Sequence, residues 1–449
     1  MKKTTTNQSL LNHSGKSRRA FVKNTALVSG GLMVSQLPVS QAAHVLGDDT
    51  IKVALVGCGG RGTGAAVQAL STEGKVKLVA MADAFQNRLD KSFKHITEKF
   101  GNSKKLKVSK DQQFIGFDAY KQAIDLADVV ILATPPGFRP QHFAYAISNN
   151  KHVFMEKPVA TDSPGVRKVL ENAKIAKEKK LNVVVGLQRH YQNNYLKVLE
   201  NIRSGAIGDI ISGQVYWNGG GVWVRPREAG ETEMQYQMKN WYYFNWLCGD
   251  HILEQHIHNI DVANWFINDY PTTAQGMGGR QVRKGKDHGH IFDHHFVEFT
   301  YPSGTIISSQ CRHQPGTMSR VDEVFQGTKG TSYTNSSNKG RVKDYQGNTI
   351  YNHRGNKDPN PYQVEHDKLF SAIRNGDVIS DAENGAKSTL AAIMGRMATY
   401  SGQVITWDQA MNSDSQLVPD NLSWDSDPPV MPDENGNYPV PVPGQFKIY

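Results

Sequence analysis

The sequence predicts an α/β chain: an N-terminal doubly wound parallel sheet, then an α+β region with a large, mainly antiparallel open sheet. Three observations carry this. Short apolar runs alternate with helical stretches up to about residue 190, later runs follow without a regular helix between each pair, and a glycine-rich turn comes directly after the first run. Alternation of strand and helix is the mark of a parallel sheet, whose crossovers need helices. Strands without intervening helices pair antiparallel.

The first run, Ile51-Lys52-Val53-Ala54-Leu55-Val56, is short and β-branched, as a buried strand should be. Further strands are expected at 76–81, ending in Asp83, and at 129–132, 152–155 and 183–185, with helices at 143–148 and 165–179 between them. After residue 190 strands are expected at 211–217, 273–278, 292–301 and 305–311. The run 292–299 partly alternates, as half-exposed strands do. Helices at 362–375 and 381–400 close the fold. The segment from Val418, rich in Pro, Gly, Asp and Asn, predicts an extended arm laid over the surface or a neighbouring subunit. The organisation is therefore 1–42 signal peptide, 50–190 dinucleotide-binding domain, 191–400 substrate and oligomerisation domain, and 401–449 C-terminal arm.

A chain of 449 residues is long enough for two sizeable cores, at roughly 100–200 residues per domain. The formal charge of +9 is concentrated at the N-terminus, where residues 1–42 hold six basic residues and no acid. The remainder has 45 basic against 42 acidic residues, a net of +3, and offers no electrostatic case for a nucleic-acid partner. Cys58, Cys248 and Cys311 have no metal or redox spacing, and all three read as free thiols.

The basic N-terminus has a pattern of its own. Ser17-Arg18-Arg19-Ala20-Phe21-Val22-Lys23 is a twin-arginine sequence, followed by a mild apolar stretch at 26–39 and by Ser40-Gln41-Ala42, a small-x-small cleavage signal. Charged, apolar, then small is the order of a signal peptide. The twin-arginine route carries folded proteins, so the expectation is a periplasmic protein that takes its cofactor with it. No later segment approaches the ~18 uninterrupted apolar residues of a membrane span.

Gly57, Gly59 and Gly62 follow one strand and open a helix, and Asp83 ends the next strand. That is the Rossmann dinucleotide fingerprint. Gly57 allows the tight turn, Gly59 lets backbone approach a pyrophosphate, and Gly62 allows close helix–strand packing. The helix N-terminus offers free N–H groups to the anion. Asp83 is placed to accept hydrogen bonds from the adenosine ribose. It would repel a 2′-phosphate, so NAD is favoured over NADP, with Arg88 nearby as the counterweight.

At Ala133-Thr134-Pro135-Pro136 and Met155-Glu156-Lys157-Pro158 the chain resembles the Gfo/Idh/MocA oxidoreductases, a family that includes glucose–fructose oxidoreductase, inositol dehydrogenase and NAD-dependent glycosidases. The resemblance runs from residue 50 to about 410. It implies a dinucleotide contacted by Arg61, Thr134, Pro135, His142, Glu156 and Gln188, which the export route requires to stay tightly bound. It also implies a Lys157 that touches both nicotinamide and substrate, a cis proline peptide after it, and a homo-oligomer formed through the open sheet.

The family's second mark is an Asp-x-x-x-His helix, here Glu254-Gln255-His256-Ile257-His258 with Asp261 beyond. The spacing of His251, Glu254, His258 and Asp261 places them on one face of a regular helix, beside an apolar stripe of Leu253, Ile257, Ile260 and Ala263. The resemblance implies that His258 accepts the proton of a sugar hydroxyl, which suits an imidazole. Glu254 stands where the family has aspartate, one methylene longer. No metal is predicted, because a regular helix turns His256 about 160° from Glu254 and His258. The alternatives are a site of His251, Glu254 and His258, or one recruiting Asp293, His294 or His295.

Gln188-Arg189-His190-Tyr191 follows the last strand of the parallel region, and Trp217, Trp223, Trp241, Tyr242, Tyr243 and Trp246 crowd the start of the next. Aromatic faces stack on pyranose rings, so Arg189, His190, Tyr191, Trp241 and Asp261 are the expected substrate contacts. The expected function is an exported NAD-dependent oxidoreductase acting on a secondary hydroxyl of a sugar or glycoside, with C3 favoured. The alternatives are a redox-neutral glycoside hydrolase and a non-catalytic dinucleotide-binding protein.

Overall fold

A computed structural model describes residues 49–355 and 357–448; the twin-arginine segment lies outside the described residues. The parallel sheet comprises β1 (Ile51–Val56), β2 (Val76–Asp83), β3 (Gln113–Ile115), β4 (Val129–Leu132), β5 (His152–Met155) and β6 (Val183–Val185), in the order β3-β2-β1-β4-β5-β6. Every pairing in it is parallel. Both faces are covered, so β4 is buried at each of its four positions and reads as a continuous apolar run. The strand order reverses between β1 and β4, and ligands of such sheets bind at that switch point, beyond the carboxyl ends of the strands.

The glycines there are forced by contact. A Cβ on Gly62 would lie 1.9 Å from the Gly57 carbonyl oxygen, and one on Gly57, at φ +96°, would strike the Ala133 carbonyl carbon at 2.5 Å. The helix Gly60–Ser71 can therefore sit directly on the sheet through Ala65, Ala66, Ala69 and Leu70.

The second sheet has nine strands: β7 (Ile210–Gly219), β8 (Thr273–Gly279), β9 (His294–Thr300), β10 (Ile306–His313), β11 (Arg320–Gly327), β12 (Gly330–Asn335), β13 (Lys339–Asp344), β14 (Thr349–Arg354) and β15 (Ile405–Thr406). Their order is β14-β13-β12-β11-β7-β10-β9-β8-β15. The β7–β10 pair is parallel and the rest antiparallel. The helix Ala382–Ser401 packs on β8 and β9 and also on the helix Ser163–Glu178 of the first region. Small residues allow that fit: a Cβ on Gly385 would come within 3.0 Å of Val185, and one on Gly395 within 2.9 Å of Ile252.

Two expectations are corrected. The helix expected through 251–261 is broken into His251–Glu254 and Ile257–Ile267. At the break the His256 N–H reaches back to the His251 carbonyl at 3.1 Å, and the His256 ring is drawn to Ser309 Oγ on β10 at 2.7 Å. His251, Glu254, His258 and Asp261 therefore do not share one face. Residues 405–412 are β15 and the short helix Trp407–Asn412 rather than arm.

The irregular stretch begins at Ser413 and lies on the chain's own body. Leu417 N–H donates to Asp162 Oδ2 at 2.7 Å, and the Trp424 ring meets Phe85 at 5.1 Å and Phe117 at 4.6 Å. Farther along, Gln237 Nε2 donates to the Val430 carbonyl at 2.6 Å, and Gly444 N–H donates to the Ser401 carbonyl at 2.8 Å. The three cysteines are buried free thiols. Among the described residues no helix is long and apolar enough to cross a membrane.

Candidate active site

A cavity of about 560 Å³ opens at the switch point. Its floor is Gly57, Gly59, Gly60, Arg61, Asp83, Arg88, Thr134, Pro135 and His142, and its far wall is Trp223, Arg225, Met238 and Trp241 from the chain after β7. The helix Gly60–Ser71 starts with no capping side chain and no acid in its first turn, so its first N–H groups are left for an anion. A Cβ on Gly59 or Gly60 would meet nothing within 4 Å, which leaves room for a pyrophosphate against the turn. These features fit a dinucleotide.

Asp83 braces the turn as well as lining the cavity. Its Oδ2 accepts from the Cys58 N–H at 2.7 Å and its Oδ1 from the Phe85 N–H at 2.9 Å, while burial raises its pKa. Thr134 Oγ1 lies 3.3 Å from His142 Nδ1, and the imidazole stacks on Tyr120 at 4.1 Å. Burial, then Arg139, lowers His142 to about 3, so it is neutral. Arg139, which sequence reasoning missed, is buried and donates to the carbonyls of Leu132 and Thr134, holding the turn in place.

Arg61 lines the cavity but is also tied to the protein. It pairs with Glu156 at 2.5 Å, lies 3.5 Å from Glu365 and sits over the Tyr362 ring at 4.7 Å. Glu156, expected beside the dinucleotide, thus anchors Arg61. Glu365 is wholly buried, and burial together with Glu156 pushes its carboxyl well up. Gln188 is buried, and its Oε1 has no partner among the described residues.

The Lys157–Pro158 peptide is cis, as the resemblance implied. Lys157 Nζ donates to the Glu254 carbonyl and lies 3.5 Å from Glu254 Oε1. That contact joins the first region to the segment carrying His258. The His258 ring stacks on Trp217 at 5.9 Å and 22°, and its Nδ1 has no partner among the described residues. Burial first, then Lys157, Arg189 and His190, holds His258 well below the ordinary histidine pKa. His190 Nε2 donates to Asp261 Oδ2 at 2.6 Å, with its ring on Trp265 at 3.9 Å. Burial pulls His190 down, but the Asp261 carboxylate outweighs it and the pKa is raised.

Three expected substrate contacts are corrected, and a fourth, Trp241, is placed on the cavity wall. Arg189 is buried in an ion pair with Glu323, whose oxygens also accept from Asn259 at 2.6 Å, Thr334 at 2.8 Å and Tyr195 at 3.1 Å. The guanidinium is enclosed and braces this network through Nη1, while its Nε and Nη2 have no partner among the described residues. Tyr191 donates to Asp381 at 2.9 Å and packs against the core of the parallel sheet. Asp261 is 1% exposed and, besides His190, accepts from Asn384 at 3.0 Å and Ser388 at 2.8 Å, so it positions His190 instead of meeting a ligand. Trp241 lies on the wall of the dinucleotide cavity, edge-on to Trp223 at 5.8 Å.

Among the described residues one His/Asp cluster has metal-like spacing: Asp250, His251 and His295. The cluster takes His251 from one set weighed from the sequence and His295 from the other, but neither Glu254 nor His258 belongs to it. The Asp250 carboxylate is already engaged. Oδ1 accepts from His251 Nδ1 at 2.8 Å, and Oδ2 from the Phe292 N–H at 2.9 Å and the Tyr400 hydroxyl at 2.5 Å. The cluster locks the loop before the broken helix.

Fold and cavity together define an NAD-binding α/β oxidoreductase. Residues 51–187 match the oxidoreductase family described by its NAD-binding Rossmann fold, and residues 195–332 match the GFO/IDH/MocA C-terminal domain. The chain belongs to the Gfo/Idh/MocA family. It is 28% identical over 183 residues to 2,7-anhydro-N-acetylneuraminate hydratase of Escherichia coli K12, a match covering 41% of this chain and 45% of the relative. It is 27% identical over 285 residues to inositol 2-dehydrogenase of Rubrobacter xylanophilus, covering 63% and 71%. The match to the hydratase thus spans about half of that relative's length. The scyllo-inositol dehydrogenase of Lactobacillus casei, solved with NAD(H) and scyllo-inositol, shares the fold at a TM-score of 0.60 and 20% identity, over 80% of this chain and 100% of that one.

Proposed function

We propose that this chain is an exported NAD-dependent oxidoreductase that oxidises a secondary hydroxyl, favouring C3, of a sugar or glycoside. The dinucleotide remains bound and is recycled in place. The observation that carries this reading is the convergence of Lys157, Glu254 and a neutral His258, with the His190–Asp261 pair beside them. A neutral imidazole can take the hydroxyl proton. The Lys157 ammonium, held by Glu254, stabilises the alkoxide that forms. Trp217 stacks on His258 and sets the orientation of that imidazole. A bound nicotinamide dinucleotide supplies the hydride acceptor.

Export rests on residues 17–42. Outside the cytoplasm no pool of free dinucleotide replaces a reduced one, so a second sugar or the first product must reoxidise it. That requirement also favours a redox-neutral cycle of oxidation, elimination, hydration and return. One structural feature supports this second reading. Elimination needs a base for the C2 proton, and His190, made more basic by Asp261, is a second imidazole at the same place.

Purified protein is mixed with a panel of sugars and aryl glycosides while the nicotinamide band is followed. A change in absorbance on sugar addition is expected. Phenol release without another enzyme selects the redox-neutral cycle, and a stable keto product selects net oxidation. Lys157→Met and His258→Ala should each lower kcat/KM by about 10²-fold or more. Full activity in both variants would overturn the assignment.

A further inference from the structure

The far wall of the dinucleotide cavity carries a feature that the glycine turn does not explain. Arg225 comes from the chain after β7, and Arg88 from the first turn of the helix Gln86–Phe100, yet both line the same cavity. Among the described residues neither guanidinium has an ion-pair partner, and Arg225 Nε is buried without a hydrogen bond. Arg225 is nevertheless held in place. Its guanidinium lies over the Trp223 ring at 4.6 Å, and its backbone N–H donates to Asn240 Oδ1 at 3.0 Å. Asn240 in turn donates to the Asp287 carbonyl at 2.8 Å.

The two cations feel each other. Burial first, and Arg88 second, lowers the Arg225 pKa. Asp83 is the carboxylate on the floor of this cavity; it attracts Arg88 but directs its oxygens to two backbone N–H groups. Two like charges facing one cavity, one of them with a buried donor unpaired, are unfavourable until an anion joins them. Guanidinium groups match phosphate oxygens in geometry as well as in charge.

We propose that Arg225 and Arg88 form a clamp on a phosphate group of the dinucleotide, closing over it from the second region of the chain. This rests on the reading of the cavity as the dinucleotide site. The site is then complete only when the segment after β7 is seated, and cofactor binding couples the two regions. The phosphate is either the pyrophosphate common to both dinucleotides or the 2′-phosphate of NADP.

The full-length mature protein, stripped of bound nucleotide, is titrated with NAD and with NADP, using tryptophan fluorescence as the readout. Arg225→Gln should raise the Kd of at least one of them tenfold or more and flatten its salt dependence, and Arg225→Lys should fall between. An equal loss for both assigns the pyrophosphate, and a loss for NADP alone assigns the 2′-phosphate. Either result supports the clamp, and Arg88→Gln should repeat the pattern. A folded Arg225→Gln protein that binds both within twofold of the unaltered chain overturns it. An unaltered chain that binds neither dinucleotide overturns the reading of the cavity and the clamp with it, and that failure is seen before any variant is made.

Discussion

At His258 the imidazole is buried on Trp217, with Lys157, Arg189 and His190 around it. Burial, then these cations, keeps it neutral well below the pH at which a free histidine would be charged. A base with a depressed pKa loses its function only as pH falls through that depressed value. The acid limb of kcat/KM should therefore lie below pH ~6.5, the ordinary histidine value. A pH–rate profile checks this, and a limb at or above 6.5 would assign the proton acceptor elsewhere. Lys157 and His258 stand out in the sequence because they fall in short motifs. Arg189 and Tyr191 were misassigned for a physical reason. Their partners, Glu323 and Asp381, lie 134 and 190 positions away, so no local pattern distinguishes a buried structural contact from a ligand contact. Arg225 was missed because its meaning depends on Arg88, which only folding brings near.

Among the elements, five of the six parallel strands were readable because strands buried on both faces are apolar runs; β3, half-exposed, was not. The strands β11 to β14 were not. β13, for example, is Lys-Gly-Arg-Val-Lys-Asp, and of these only Val342 and Gly340 are buried. The broken helix escaped notice because its cause, the pull of Ser309 on His256, is tertiary. The C-terminal arm makes a testable contribution. Trp424 packs on Phe85 and Phe117, both of which line the dinucleotide cavity. Trp424→Ala should speed dinucleotide loss severalfold with little change in the circular dichroism spectrum. Nucleotide retained after gel filtration measures this, and retention equal to that of the unaltered chain would show that the arm has no hold on the ligand.

At the scale of the molecule, two sheets share the helix Ala382–Ser401, and the proposed catalytic groups come from both sides. Lys157 follows the fifth parallel strand, and Glu254 and His258 belong to the second region. The central claim is that this assembly oxidises a sugar with a dinucleotide it does not release. The most direct test incubates purified protein, with its own bound nucleotide and none added, with a glycoside panel, followed by mass spectrometry. The account predicts a keto product lighter by two hydrogens, limited to about one equivalent per chain until a second, reducible sugar is supplied, after which turnover continues. No mass change with any sugar, or turnover that continues only when free NAD is added, would contradict it.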